Sequence, residues 1–349
     1  MPTFFQQFTS TTLSHAARLS IHILVLPFSL PLSIPKSLFS KSLVFGPDVC
    51  YNTSKTISWE EVCKMHNIHY NFLRFPEGKP KAVTLSYDDG AYTDVRLIET
   101  LDKYGLKCTL NIIGNDVANG KGLTLDYLKN SVLAKGHEIA THGYMHRAND
   151  SIRSIEGIRE TLDTRIVLEN ALGRIVRGMA YPDRSVDKST QPAIYENVKT
   201  YLSMLDIAYA RMAGGNGSFE LPEDWLNWMP TAHHENPKLF ELIRSFNETD
   251  LNRIYCSNRS PKIFFLWGHS FEFERNQNWD RLEKICTELS GKEDVWYATN
   301  MEIHDYVECY RSLIYSADGQ RIYNPTLKDI WFDIDGALRI IRSDETITL

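Results

Sequence analysis

Between residues 82 and 311 the chain alternates short runs of β-formers with stretches of helical period, and this restricts the possible fold more than any other feature. Strand-like runs stand at 82–86, 108–113, 138–141, 176–181, 208–212, 228–232, 263–267 and 295–298. Helical spacing marks 94–104, 123–134, 154–172, 189–204, 237–246, 280–289 and 301–311. Strands that alternate with helices at this spacing predict βα units and a parallel sheet. Seven or eight such units predict closure into a barrel, whose strand ends would point polar residues into one shared site. After about Leu313 the pattern changes to short β runs at 313–315, 321–323, 330–333 and 338–341. Asp318-Gly319 and Asp335-Gly336 are hairpin dipeptides between them, so a small antiparallel appendage is expected there.

The remaining bulk properties exclude some classes. Of the 349 residues, 43% are hydrophobic and 23% charged, values of a globular chain with a sizeable core. A net charge of −6 without a basic cluster argues against a nucleic-acid partner. The six cysteines (50, 63, 108, 256, 286 and 309) form no CxxC pair and read as reduced thiols. The first 64 residues stand apart: 1–47 contain no acidic residue, and the apolar run 21–32 is broken by Pro27 and Pro31. That run is too short for a good membrane span. As a signal it would send the chain out of the cell; if the chain instead starts at Met65, a cytoplasmic protein is expected. The expected organisation is an atypical extension over 1–64, a barrel over 65–312 and the β appendage over 313–349.

The chemistry concentrates in two stretches. Val83-Thr84-Leu85-Ser86-Tyr87-Asp88-Asp89-Gly90 is an apolar strand that ends in two adjacent carboxylates and a turn-permitting glycine. Two acids at a buried strand end are costly unless one is neutralised, most simply by a metal. Thr141-His142-Gly143-Tyr144-Met145-His146 then sets two imidazoles four residues apart after another short strand. One carboxylate and two histidines leave coordination positions open, the pattern of a catalytic metal site. Zinc suits such ligands best, and cobalt, nickel, manganese and iron are compatible.

These motifs resemble the NodB-type polysaccharide deacetylases of carbohydrate esterase family 4, over roughly residues 81–308. Ser86-Tyr87-Asp88-Asp89-Gly90 is similar to the family's (T/S)(F/Y)DDG motif, and His142–His146 to H(S/T)xxH, with Gly143 in place of the hydroxyl residue. Phe265-Leu266-Trp267-Gly268-His269 is similar to the last motif, a strand ending in histidine. The resemblance implies a distorted (β/α)7 TIM-like barrel and metal-dependent removal of acetyl groups from an N-acetylated sugar or polysaccharide. It implies Asp89, His142 and His146 as metal ligands, Asp88 as general base and His269 as general acid. The roles are chemically coherent: a carboxylate takes a proton from the attacking water, and an imidazolium protonates a poor nitrogen leaving group.

Other matches are looser. Arg177, which opens Arg177-Gly178-Met179-Ala180-Tyr181-Pro182, resembles the arginine of RxPY, which orients the base, although the spacing is longer here. Tyr181 would then assist oxyanion binding; a plain surface or core-edge role is the alternative for Arg177. Trp225, in the loose match Glu223-Asp224-Trp225, and Trp267 are expected either to stack on sugar rings or to fill the core. His233 and His234, which close 228–234, are expected either to contact substrate, to replace a missing motif residue, or to sit as hydrogen-bonded rim residues. Asn111 either lines the site or satisfies local backbone. Two rivals share the fold: a C–N hydrolase of a small non-sugar amide, and a barrel that binds glycan without turning it over. The presence of both Asp88 and His269 speaks against the second, since binding alone needs neither.

Overall fold

The computed structural model describes residues 69–252 and 258–349. The N-terminal extension, the position of the chain start and Cys50, Cys63 and Cys256 lie outside them. Cys108, Cys286 and Cys309 are free thiols, and among the described residues no helix is long and apolar enough to cross a membrane.

In chain order the first nine strands are β1 (Asn71–Arg74), β2 (Lys81–Asp89), β3 (Cys108–Ile112), β4 (Glu138–Thr141), β5 (Gly178–Ala180), β6 (Tyr209–Arg211), β7 (Ala232–His233), β8 (Lys262–Gly268) and β9 (Val295–Tyr297). The last eight form one parallel sheet in the order β6-β5-β4-β3-β2-β8-β7, and β9 pairs with the start of β2. A bridge between Arg211 and Trp228 ties β6 to the segment that leads into β7, so the sheet curls back on itself. This is the barrel that the alternation predicts, in the distorted TIM-like form that the resemblance implies.

The strand at the centre shows why the sheet is covered on both faces. Val83, Leu85 and Tyr87 alternate with Ala82, Thr84, Ser86 and Asp88, and all are buried. The first set packs outward on helices. Helix Asp94–Lys103 turns Leu97, Ile98 and Leu101 to the sheet, and helix Trp279–Leu289 turns Leu282, Ile285, Cys286 and Leu289. These are one-stripe faces at i, i+3, i+4 and i+7 spacing. Truncating one of the fully buried leucines to alanine costs about 2–5 kcal/mol.

The second set points into the barrel. At the amino ends of the strands Ala82, Ile263 and Phe265 join a core with Ile303, Tyr306 and Val307 of helix Asn300–Arg311, and with Leu313, Ile322, Ile330 and Phe332 beyond it. The appendage therefore packs against the barrel rather than hanging from it. Its strands are β10 (Ile314–Tyr315), β11 (Arg321–Tyr323), β12 (Ile330–Ile334), β13 (Ala337–Ile341) and β14 (Thr346–Thr348). β12 pairs antiparallel with β1, and β14 joins β11. The Asp335-Gly336 hairpin forms as expected, with Ile334 opposite Ala337 and φ of 50° and 88° at the two turn residues.

Some segments differ from the periodicity. The expected helix 123–134 forms only short, irregular turns between Leu125 and Lys135. The run 228–232 narrows to the two-residue β7. A helix at Ser270–Arg275 appears where none is expected, and it matters for the site.

Candidate active site and metal centre

Asp88 and Asp89, His142, Arg211, His233 and His269 all sit at or just beyond the carboxyl ends of their strands. The topology alone brings them together. Asp89 Oδ1 lies 3.5 Å from His142 Nε2 and 3.5 Å from His146 Nε2, and the two ring nitrogens are 3.2 Å apart. Donors about 2.1 Å from a tetrahedral ion lie about 3.4 Å apart, so this triangle has the dimensions of a ligand set. Asp89 Oδ1 is buried without a hydrogen-bond partner, an acceptor kept bare. His142 donates from Nδ1 to the carbonyl of Ala180 at 3.0 Å, which leaves the Nε2 lone pair facing Asp89. Burial lowers the pKa of His142 against the pull of Asp88 and Asp89, favouring the neutral, ligating form. Both Asp89 and His146 adopt left-handed backbone, with φ of 78° and 56°, strain that a site must hold in place. The residues present fit a divalent ion.

Asp88 points into the barrel beside them and is almost wholly buried. Asn111, next to it on β3, donates to Asp88 Oδ1 at 2.8 Å and to Ser86 at 2.7 Å, so it both lines the site and ties β2 to β3. Arg211 donates to Asp88 Oδ2 from a fully buried guanidinium. Burial would raise the Asp88 pKa, but Arg211, then His142, His269 and Asn111 hold it below the usual carboxylate range.

His269 stands on the other side of Asp88, Nε2 to Oδ2 3.9 Å. It caps helix Ser270–Arg275, and the third helical residue, Glu272, reaches back to the His269 backbone N–H at 3.3 Å. The same carboxylate oxygen lies 3.4 Å from His269 Nδ1, 3.2 Å from His233 Nε2 and 3.1 Å from His234 Nε2. Burial alone would lower the His269 pKa; the carboxylates of Glu272, Asp88 and Asp89 outweigh it and raise it. His234 is fully buried between Tyr87 and Phe273. Its ring leaves no space at position 268, where a Cβ would come within 2.1 Å of it, so the strand ends in glycine.

Three expected residues are placed elsewhere, and a fourth is at the site in another setting. Arg177 precedes β5, at the opposite end of the barrel, exposed and donating to the carbonyl of Asp206. The arginine that reaches Asp88 is Arg211. Tyr181 is a core side chain whose hydroxyl donates to the Leu226 carbonyl, and its backbone N–H is spent on the carbonyl of Arg211. It has no donor left for an oxyanion. Trp225 packs in the lower core against Trp228 and His304 and donates to Glu308. Trp267 is at the site but mostly buried, with the Arg211 guanidinium 4.3 Å over its ring and its N–H given to the carbonyl of Gly214. It fixes the arginine rather than offering a sugar platform. His233 is where it was expected, on the rim, its ring 4.7 Å from Trp267.

Two functional residues escape the motifs. Arg211 could be found as a charge inside the apolar run Ile207-Ala208-Tyr209-Ala210-Arg211-Met212, where burial demands a partner. Glu272 has the spacing of a capping box three residues after His269.

Residues 75–200 match the family model of the polysaccharide deacetylases. No curated protein matches the sequence. Among solved structures, a candidate polysaccharide deacetylase from Mycobacterium smegmatis is similar at 18% identity and TM-score 0.49, over 68% of this chain and 94% of that one. A family 4 acetyl xylan esterase from Clostridium thermocellum, in complex with a cobalt ion, aligns at 19% identity and TM-score 0.42, over 64% and 90%. A family 4 pseudoenzyme from Bacillus anthracis aligns at 16% identity and TM-score 0.40, over 67% and 68%. The family match runs through both carboxylates and both histidines that meet at one end of the barrel, so over residues 75–200 the chain is similar to the polysaccharide deacetylases.

Proposed function

We propose that this protein is a metal-dependent carbohydrate deacetylase that hydrolyses the acetamido group of an N-acetylated sugar. The observation that carries the reading is the triangle of Asp89, His142 and His146 with a separate carboxylate, Asp88, and a separate imidazole, His269, on its border. A ligand set alone serves storage or binding; a ligand set flanked by a base and an acid serves hydrolysis. Asp89, His142 and His146 would hold the ion, and zinc suits them best. Bound there, the ion supplies Lewis-acid polarisation of a carbonyl and a lowered pKa for water.

The chain's own residues do the rest. Asp88, kept ionised by Arg211 and Asn111, accepts a proton from the attacking water. His269 holds a proton on Nε2 and delivers it to the departing nitrogen; an amine leaves poorly as an anion, so this donation decides the rate of collapse. Glu272 Oε2 lies 3.4 Å from Nδ1, and Nε2 is the atom that faces Asp88. The test uses the full chain, stripped of metal and reloaded with zinc, cobalt, nickel, manganese or iron in turn. Acetate release from acetylated amino-sugar oligomers is measured beside Asp88→Asn. Release that returns with metal and is lost in Asp88→Asn supports the reading. Metal binding without release from any acetylated sugar defeats it and favours a small-amide substrate or glycan binding.

A further inference from the structure

We propose that Glu160, which belongs to none of the motifs, is the positioning residue that holds the metal-binding turn in shape. This rests on Asp89, His142 and His146 being the metal ligands.

The turn from His142 to His146 has no regular structure, so each of its backbone groups needs a partner from outside. On one side the partners are backbone. Gly114 N–H donates to the carbonyl of Gly143 at 3.1 Å and Asn115 N–H to that of Tyr144 at 3.0 Å. On the other side the donors on either flank of His146 converge on one side chain. Glu160 Oε2 accepts from Met145 N–H at 2.9 Å and from Arg147 N–H at 3.4 Å. Glu160 comes from the long helix Ser154–Leu172 and is buried, 8% exposed. His146 sits between these two anchored amides in left-handed backbone, a conformation an L-residue keeps only when its neighbours are fixed.

Position 143 completes the argument. Its φ is +73°, and a Cβ there would lie 2.9 Å from Glu160 Oε2 and 3.2 Å from Pro182. The missing hydroxyl in the second motif and the buried carboxylate are thus two halves of one arrangement. The space that a side chain at 143 would occupy is where Glu160 enters. Removing the carboxylate releases two amides and with them the orientation of His146, while the three ligand residues themselves remain. Groups that orient metal ligands commonly change affinity by roughly 10–100-fold.

The experiment measures zinc affinity of the full chain by chelator competition, with melting of the metal-free proteins recorded in parallel. Glu160→Ala is expected to weaken zinc binding about 10–100-fold. Glu160→Gln, whose amide oxygen can still accept both N–H groups, is expected to stay within about threefold of wild type. Glu160→Asp, one methylene short, should fall between them, and it takes the place of the alanine variant if that one does not fold. Equal affinity in Glu160→Ala and wild type overturns the proposal. So does a glutamine variant as weak as the alanine one, since charge rather than anchoring would then be at work. Wild type that binds no zinc overturns the ligand assignment itself, which tight wild-type binding with an indifferent Glu160 does not.

Discussion

Two clusters on the rim of this barrel each bring imidazoles and a carboxylate within ligand distance, Asp89 with His142 and His146, and Glu272 with His233 and His269. By composition they are interchangeable; their hydrogen bonds make them opposites. His142 gives its Nδ1 proton to a carbonyl, so its Nε2 carries a lone pair toward the cluster. His233 instead accepts the backbone N–H of Glu235 on Nδ1 at 3.2 Å, so the neutral ring carries its proton on Nε2, aimed at Glu272. A cation at the second cluster would have to displace that proton and break the Glu235 bond; at the first it displaces nothing. The carboxylates differ in the same way. Asp89 Oδ1 is left bare, whereas Glu272 Oε2 faces three rings and has its pKa strongly lowered despite the opposing effect of burial, mainly by hydrogen bonds to His233, His234 and His269. One cluster presents bare donor atoms that fit a metal, and the other sets its rings around a carboxylate.

The sharpest way to break this contrast is to exchange their losses. His142→Ala should abolish stoichiometric metal binding and reduce acetate release to background. His269→Gln should keep the metal and lower kcat by roughly 10²–10⁴-fold, the range for losing a general acid. Metal analysis of the two purified variants beside their rates decides it. A His269→Gln protein without metal would erase the division between the clusters.

Between the clusters lies the Asp88–Arg211 pair, where the largest stability effect is expected. Both partners are buried, so Arg211→Met strands an uncompensated carboxylate and should cost about 3–5 kcal/mol at pH 7. The pH dependence should also change sign. In wild type the Asp88 pKa is depressed, so its contribution is present above the unfolded value of about 3.9 and lost as pH falls through the folded one. Without the arginine the strongest opposing charge is gone and burial is expected to outweigh what His142, His269 and Asn111 leave, so that pKa rises and the variant should gain relative stability on acidification. Denaturant melts at pH 7 and pH 5 measure both, and adding Asp88→Asn to Arg211→Met should recover much of the loss.

A smaller effect isolates Glu272. It raises the His269 pKa against burial, and under the proposed mechanism His269 acts protonated, so activity should be lost as pH rises through that pKa. Glu272→Gln should therefore move the alkaline limb of kcat/KM to lower pH. The activity above the limb should fall by about tenfold for each unit of displacement. A limb that stays in place would show that Glu272 only shapes the helix it caps.

The fold was legible because parallel β/α alternation is a property of long segments, and so were the residues whose types are unusual where they stand: adjacent aspartates at a strand end, histidines four apart, a histidine closing β8. What stayed hidden depends on which strand end a side chain reaches. Tyr181 and Trp225 carry the right chemistry, but their direction and depth are set by packing against Leu226, Trp228 and Glu308. Glu160 lies in a helix with no motif around it, and only the folded turn shows what it accepts. The β1–β12 pairing spans most of the chain, so neither strand announces its partner.

Arg177 makes the same point with the smallest effect. Motif likeness places it beside the base, yet it precedes β5, and a strand's two ends are separated by the depth of the barrel. Its guanidinium is exposed and donates to one carbonyl, a bond that water replaces at little cost. Arg177→Ala should leave kcat, metal affinity and the pH profile unchanged and shift stability by no more than about 0.5 kcal/mol. Made beside Arg211→Met, it turns the assignment into a difference between two arginines 34 positions apart. The polar end of a β/α barrel is read from the residue that leaves a strand, and Arg177 only enters one.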